Sequence, residues 1–366
     1  IVSIKANYLA DVCGYEVFIV TACQQGKPSF YRFSKNVKFV DLDVDHDATL
    51  TLPLWKRVAE RRRMLRCHKR KLAQLLNDIK PDITISTFTH EAAFLPDIKD
   101  GSKKVLEFHF CKGHKRKMAD AFGFPLPAKQ TYYFKCWMEE NIIIPKYDQF
   151  VVLTKEDKAD WAGKVPTVEY IPNILPFETE EQAKLKNKRA IAVGRLDAQK
   201  RFDRLIVLWK DIHAKHPDWR LDIFGQGRDE QKLQALITGM GLNDTVLIHK
   251  PCQKIKEEYL ASSIFVMTSA YEGLPMTLLE ATELGLPAVC YDFKCGPKDV
   301  IVNGKNGFIV KDGNAKDFVE SVCRLIEDET LRKELGNGAK VLSARYSREA
   351  IMQKWIDLFN KITEVK

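Results

Sequence analysis

Short apolar runs alternate with helix-period patterns from one end of this chain to the other, and a parallel sheet covered by helices on both faces is what buries such runs completely. In the first half the runs fall at 16–21, 37–44, 82–88, 105–110 and 150–154, and in the second at 190–194, 220–224, 245–249, 264–269 and 288–291. Two such sets predict two α/β domains, each a doubly wound parallel sheet, which 366 residues suffice to build. The join is expected near the turn-rich Tyr170-Ile171-Pro172-Asn173-Ile174-Leu175-Pro176, followed by a charged linker over 178–188. The expected units are 1–172, 173–345 and a closing helix within 346–366, where Ile351, Trp355, Leu358 and Phe359 share one stripe. The start is irregular: 2–12 reads as a helix closed by Gly14, where an α/β domain should open on a strand. A first strand and its glycine-rich turn are therefore expected to precede Ile1 in the natural protein.

An apolar fraction of 45% and a charged fraction of 29% are those of a soluble globular protein, and no apolar run is long enough to span a bilayer. No secretory signal is read at the start, so the expected compartment is the cytoplasm. The nine cysteines are scattered without a Cys-x-x-Cys pair and are expected to be reduced thiols, not a disulfide set or a zinc site. The formal charge of +9 is concentrated in 56–80, where Lys56, Arg57, Arg61, Arg62, Arg63, Arg66, Lys69, Arg70 and Lys71 crowd one predicted helix. Leu54, Val58, Met64, Leu65, Leu72, Leu75 and Leu76 give that helix an apolar side. Such a helix fits an anionic membrane surface through Arg61, Arg62, Arg63 and Arg66, and it fits a plain solvated face as well. Nucleic acid is not an expected partner, because no aromatic residues interleave with the charges.

The chemistry concentrates in the second half. Tyr271-Glu272-Gly273-Leu274-Pro275-Met276-Thr277-Leu278-Leu279-Glu280 stands between a buried strand and an amphipathic helix. Gly273 and Pro275 let the backbone approach a ligand and leave first-turn N–H groups free for an anion, while Glu272 and Glu280 can accept hydrogen bonds from hydroxyls on either side. A ligand with phosphate in the middle and hydroxyls at both ends is a nucleotide-sugar. Glutamates at a helix start also occur simply because they complement the dipole. Upstream, Gly194-Arg195 and Lys200 follow the first strand of this half, where paired cations could neutralise a diphosphate. Phe224-Gly225-Gln226-Gly227 ends the next strand, and its glycines would let backbone pass close to a nucleotide. His249 and Lys250 end the one after, with their backbone better placed for base contacts than the His249 ring. Cys295, beside the Gly296-Pro297 turn, invites a nucleophile reading, but no histidine neighbours it in sequence.

Together, the two glutamates with Gly-Leu-Pro between them, the Gly-Arg with its following lysine and the glycine loops resemble the GT4-type family of retaining glycosyltransferases, strongly over 191–308 and weakly before 147. The resemblance implies a GT-B architecture, two Rossmann-like domains with the active site between them, and a last helix that crosses back to the first domain. It implies transfer of a sugar from a nucleotide donor, UDP by default, to an acceptor hydroxyl with retention, in cell-surface polysaccharide or glycolipid synthesis. Glu272 then lies against the donor sugar without being a covalent nucleophile, and Glu280 holds the ribose. Arg195 and Lys200 take the diphosphate. Gly225, Gly227, His249, Lys250, Gly273, Leu274, Pro275 and Met276 complete the donor site. His109, at the end of the run 105–110, lies beside the sugar as the first-domain catalytic residue; Thr87, Thr89 and His90, after the run 82–88, are expected in the same cleft from position alone. Neither a cofactor nor a metal is expected: Asp41-Leu42-Asp43 spells a metal box but falls inside a first-half strand. Two other readings stay open, a nucleotide-sugar 2-epimerase of the same architecture and an inactive nucleotide-sugar or membrane-surface binding protein.

Overall fold

The computed structural model describes residues 1–49, 53–121 and 124–364. The first half opens on helix α1 (Val2–Asp11), followed by strands β1 (Val17–Thr21) and β2 (Val37–Asp41), the long helix α2 (Leu54–Ile79), and strands β3 (Ile83–Ser86) and β4 (Lys103–Phe108). Helices α3 (His114–Ala121) and α4 (Leu126–Met138), strand β5 (Gln149–Val152), helix α5 (Lys155–Trp161) and strand β6 (Val168–Tyr170) complete it. These strands are all parallel, yet they lie in two sheets, the pair β1-β2 and the four-stranded β3-β4-β5-β6. The single sheet expected here is thus divided, and no ladder joins β1 to β3 among the described residues. Helix α1 spans the division: Leu9, with Ile4 and Tyr8, packs with Ile83, Ile85, Val105 and Val151, while Ala6 and Ala10 pack with Val37. A helix spends its backbone groups on itself, so it can cover both pieces without pairing either edge.

The second half repeats strand and helix without a break. It runs β7 (Arg189–Val193), α6 (Phe202–Lys215), β8 (Arg220–Phe224), α7 (Glu230–Gly239), β9 (Val246–His249), α8 (Ile255–Leu260), β10 (Ile264–Met267), α9 (Met276–Glu283), β11 (Ala288–Asp292), α10 (Pro297–Val300), β12 (Gly307–Lys311), α11 (Ala315–Glu327) and α12 (Glu329–Ser343). The six strands form one parallel sheet in the order β12-β11-β10-β7-β8-β9. β10 is buried along its whole length and β7 along nearly all of it, as strands covered on both faces must be. The winding reverses between β7 and β10, and the crevice at their carboxyl ends is where such sheets hold ligands.

The 178–188 stretch is a strap held down along α9 and α12. The Thr179 N–H donates to Glu283 (3.0 Å), the Ala183 N–H to the Leu284 carbonyl (2.8 Å), and the buried Leu185 offers its carbonyl to Arg332 (3.0 Å). Its charged side chains point outward while its backbone finds partners, which is why composition reads it as a linker. Helix α13 (Arg348–Thr363), capped by the Ser347 hydroxyl accepting from the Ala350 N–H, then returns to the first half. Ile351, Met352, Trp355, Leu358 and Phe359 pack with Val105 of β4, Val151 of β5, Ile171 and Ile174. The Trp355 ring also lies under the Lys5 ammonium, 3.9 Å from its centroid. Trp355→Ala should therefore cost about 3–5 kcal/mol, read as a fall in the urea midpoint; an unchanged midpoint would mean that α13 contributes nothing to the first-half core.

Candidate functional site

The loop after β7 is shaped by close backbone approaches. A Cβ on Gly225 would run into the Gly194 carbonyl, and one on Gly227 into the Leu196 carbonyl. What requires glycine at these two positions is the neighbouring loop, a different reason from the ligand approach expected from sequence. Gly194 in turn leaves room for the stem of Lys200, whose Cε would lie 2.8 Å from an added Cβ. With that path open, Lys200 Nζ reaches Glu272 Oε1 at 2.7 Å, both side chains nearly buried. Gln199 Nε2 donates to the other oxygen of Glu272 (3.2 Å) and to the Tyr271 carbonyl (3.0 Å). Arg195 stays at the rim, 72% exposed, holding Gln199 Oε1 at 2.9 Å. Gln199 lies within the sequence motif, yet only the geometry shows it steering Arg195 and Glu272 together.

Glu272 begins the turn into α9, and its own N–H donates to the Lys294 carbonyl (3.2 Å). Leu274 and Pro275 are buried beneath the turn, and Gly296 fits against the Pro275 ring, where a Cβ would clash. Met276 opens α9, its sulfur accepting from Asn173 Nδ2 (3.5 Å). Within the helix Glu280 accepts from the Tyr259 hydroxyl (3.0 Å). Burial pushes the Glu280 carboxyl up to about 7, against the pull of Tyr259 and Lys200. Asn173 Oδ1, Ser269 Oγ and Thr277 Oγ1 are buried around this turn without a hydrogen-bond partner. Buried polar groups in native proteins are nearly always paired, so three orphans about one turn mark a place built for polar ligand atoms or ordered water. No motif in the sequence distinguishes them.

The first half meets this turn through β4. Gly273 packs on the backbone of His109 and Phe110, and a Cβ there would strike the His109 carbonyl. His109 Nε2 lies 3.5 Å from Glu107 Oε1, and Glu107 forms a buried ion pair with Lys5 of α1. Burial would raise the Glu107 carboxyl, but Lys5 and His109 outweigh it and hold it at about 2. Lys117 of α3 stands over the Tyr271 ring at 5.4 Å. His109, Gly273, Glu272 and Lys200 thus form one continuous chain of contacts between the halves, with Arg195 exposed beside it.

The side chains of other expected residues have partners of their own. The His249 ring stacks on Phe224 (centroids 4.5 Å, 16°) and meets Asp222 at 3.0 Å, while Lys250 pairs with Glu230 at 2.6 Å. The His90 ring lies tilted against His46 (centroids 4.1 Å, 31°), whose Nε2 meets His68 Nδ1 at 3.0 Å, and Thr89 is taken up by Glu91. Cys295 is buried against Cys111; that contact and burial push its thiol well up, which leaves it a poor nucleophile.

Residues 176–341 match the family described as glycosyl transferases group 1. The chain is 37% identical over 222 residues to the amylovoran biosynthesis glycosyltransferase AmsD of Erwinia amylovora, a match covering 58% of this chain and 62% of that protein. The chain thus spans less than two thirds of that relative's length. Among solved structures, sucrose-phosphate synthase from Thermosynechococcus elongatus superposes with a TM-score of 0.79 at 16% identity, covering 99% of this chain and 92% of that one. Staphylococcus aureus TarM in complex with Fondaparinux, alpha-GlcNAc-glycerol and UDP gives 0.65 at 23% identity, covering 80% and 59%. Residues 176–341 thus resemble the group 1 glycosyltransferases, and the chain as a whole has the GT-B fold, two Rossmann-like parallel α/β halves.

Proposed function

We propose that this chain transfers a sugar from a nucleotide-diphosphate sugar, UDP-linked by preference, to an acceptor hydroxyl with retention at the anomeric carbon, in polysaccharide or glycolipid synthesis. The observation that carries the reading is the Lys200–Glu272 pair, nearly buried, beneath a turn that touches His109. An ammonium and a carboxylate so placed are already desolvated, and an incoming donor separates them: the diphosphate takes Lys200, and Glu272 is freed for sugar hydroxyls. Arg195, exposed at the rim, closes on the same phosphates. Glu280 accepts from the ribose, and His109 bonds a sugar hydroxyl from the opposite wall. Gly225, Gly227, His249 and Lys250 border the base, and Leu274, Pro275 and Met276 shape the turn. As the bond from the anomeric carbon to the phosphate oxygen breaks, the acceptor oxygen bonds that carbon, and its proton passes to the departing phosphate. Arg195, Lys200 and the α9 dipole balance the charge that grows there, so no step calls on a metal. In the same reading the units are 1–172, 173–345 and 346–366, and the protein works in the cytoplasm at the inner face of the membrane.

Support from relatives lies in their names: amylovoran biosynthesis for one, and a poly(ribitol-phosphate) alpha-N-acetylglucosaminyltransferase from Staphylococcus aureus, 28% identical, for another. The reading is tested by calorimetry with UDP, and then by product analysis with UDP-sugars. UDP should bind, and Lys200→Ala or Glu280→Ala should weaken it tenfold or more. Unchanged affinity in both variants would place the donor elsewhere, and conversion of the UDP-sugar to its 2-epimer without release of UDP would replace transfer with epimerisation.

The Glu280 carboxyl at about 7 adds a pH signature. Ribose hydroxyls donate to the ionised form, so UDP affinity should rise from pH 6 to pH 8 with release of a proton, and Glu280→Gln should flatten the profile. A profile equally steep in the variant would assign the proton to another group.

Membrane attachment rests on α2, where Arg61, Arg62, Arg63 and Arg66 are exposed beside Trp55. Vesicles containing anionic lipid should carry the chain upward in flotation, and neutralising those four arginines should abolish it. Flotation that persists in the neutralised variant would remove α2 from the reading.

A further inference from the structure

A second cluster lies at the opposite end of the second-half sheet. Helix α6 ends at Lys215, and His216 closes its last turn by donating its N–H to the Ile212 carbonyl (2.9 Å). Helix α11 packs alongside α6. On its facing side Cys323, 5% exposed, and Glu327, one turn later, share a stripe. His216 Nε2 lies 3.0 Å from Glu327 Oε1, and one ligand atom from each of His216, Cys323 and Glu327 falls within 4.8 Å of the other two.

We propose that these three side chains form a site for a divalent transition metal, zinc by its chemistry, that ties the end of α6 to α11. The ligand set is the first argument. A thiolate and a carboxylate together balance a dication while the imidazole stays neutral, and mixed sulfur and nitrogen ligation selects zinc over magnesium or calcium. Geometry is the second. Tetrahedral zinc with its usual bond lengths needs ligand atoms roughly 3.3–3.6 Å apart, so atoms already within 4.8 Å of one another have only about an ångström to close. An ordinary surface ion pair accounts for His216 and Glu327, but it does not place a cysteine sulfur beside both. The exposed Glu327 side leaves the fourth position to water. Because α6 starts just after Lys200 and ends here, the ion would anchor the donor-loop helix from its far end, and its role would be to stiffen the fold, not to take part in transfer. The cysteines as a group are expected from sequence to be plain thiols, and Cys323 would be the exception. Its partner His216 lies more than a hundred residues away, so the spacing rules for zinc motifs do not find it.

The test uses the full chain, stripped with a chelator and titrated with Co²⁺ and then Zn²⁺. One equivalent of Co²⁺ should give the absorption of a tetrahedral, thiolate-ligated ion, Zn²⁺ should displace it, and the zinc form should melt at a higher temperature. His216 is partly buried and Glu327 exposed, so His216→Ala and Glu327→Gln keep the fold; each should weaken zinc at least tenfold and diminish the thiolate-to-cobalt band. Cys323→Ser should remove the band altogether. A band that persists at full strength in both His216→Ala and Glu327→Gln would put the ion on other cysteines, and the absence of any band in the unaltered chain would overturn the site outright.

Discussion

The architecture turns on the contact between Gly273 and the His109 carbonyl. Here the helix-start turn of one half rests directly on the strand end of the other, with no side chain between them. The same kind of contact holds the neighbouring loops: Gly225 lies against the Gly194 carbonyl, and Gly194 itself makes way for the Lys200 stem. Any side chain at these points would push the loops apart by at least the thickness of a methyl group. Lys200 would then fall short of Glu272, and His109 would withdraw from the turn. Charge placement at the site is therefore a consequence of backbone packing, and it is inherited from the residues that lack a Cβ.

Two ion pairs adjoin that contact, one in each half: Glu107 lies beside His109, and Glu272 precedes Gly273. Lys5–Glu107 is closed on all sides, with the Trp355 ring beneath the ammonium, so it is a permanent pair whose rupture would leave a charge without solvent. Lys200–Glu272 keeps slightly more exposure, and in the proposed reading either partner is exchanged for a ligand group. Buried pairs add little net stability once desolvation is counted. What the pair in the cleft supplies is a lysine and a glutamate already freed of bulk water and already oriented.

Much of this was legible in sequence, and the exceptions have physical reasons. The strands of the second half stand out because both faces are buried, which makes each run continuous: Ala190 to Ala192 and Ile264 to Met267 need no partner to be recognised. Arg195, Lys200 and Glu272 stand out because they sit in loops at strand ends, and Glu280 because it follows Glu272 at a fixed spacing inside α9. β6 is only three residues long and half-buried, too short to show a period. Which of the first-half strands pair, β1 with β2 and β3 through β6 in a second ladder, depends on contacts between distant segments, which no local pattern encodes. Gly225 and Gly227 could be read as glycines that something must approach, but the approaching group, a carbonyl from a loop some thirty residues earlier, appears only in the fold. The same holds for Lys5 and Glu107, separated by 102 positions, and for the unpaired side-chain oxygens of Asn173, Ser269 and Thr277, whose environment and not their identity marks them.

The closing helix has a share in the site that its distance along the chain conceals. Trp355 of α13 supports Lys5, Lys5 neutralises Glu107, and Glu107 lies beside His109. With Lys5 in place, the Glu107 carboxylate remains ionised down to about pH 2 and offers the His109 ring a steady negative neighbour. Without Lys5, burial alone would favour the protonated acid, and the ring would lose that partner. A helix from the end of the sequence thus sets the electrostatics of a residue on the first-half wall of the cleft, while Gly273 presses the second-half wall against the same residue. Both halves converge on His109, one through charge and the other through backbone contact, so a change in how the halves sit together would alter its position and its charge environment at once.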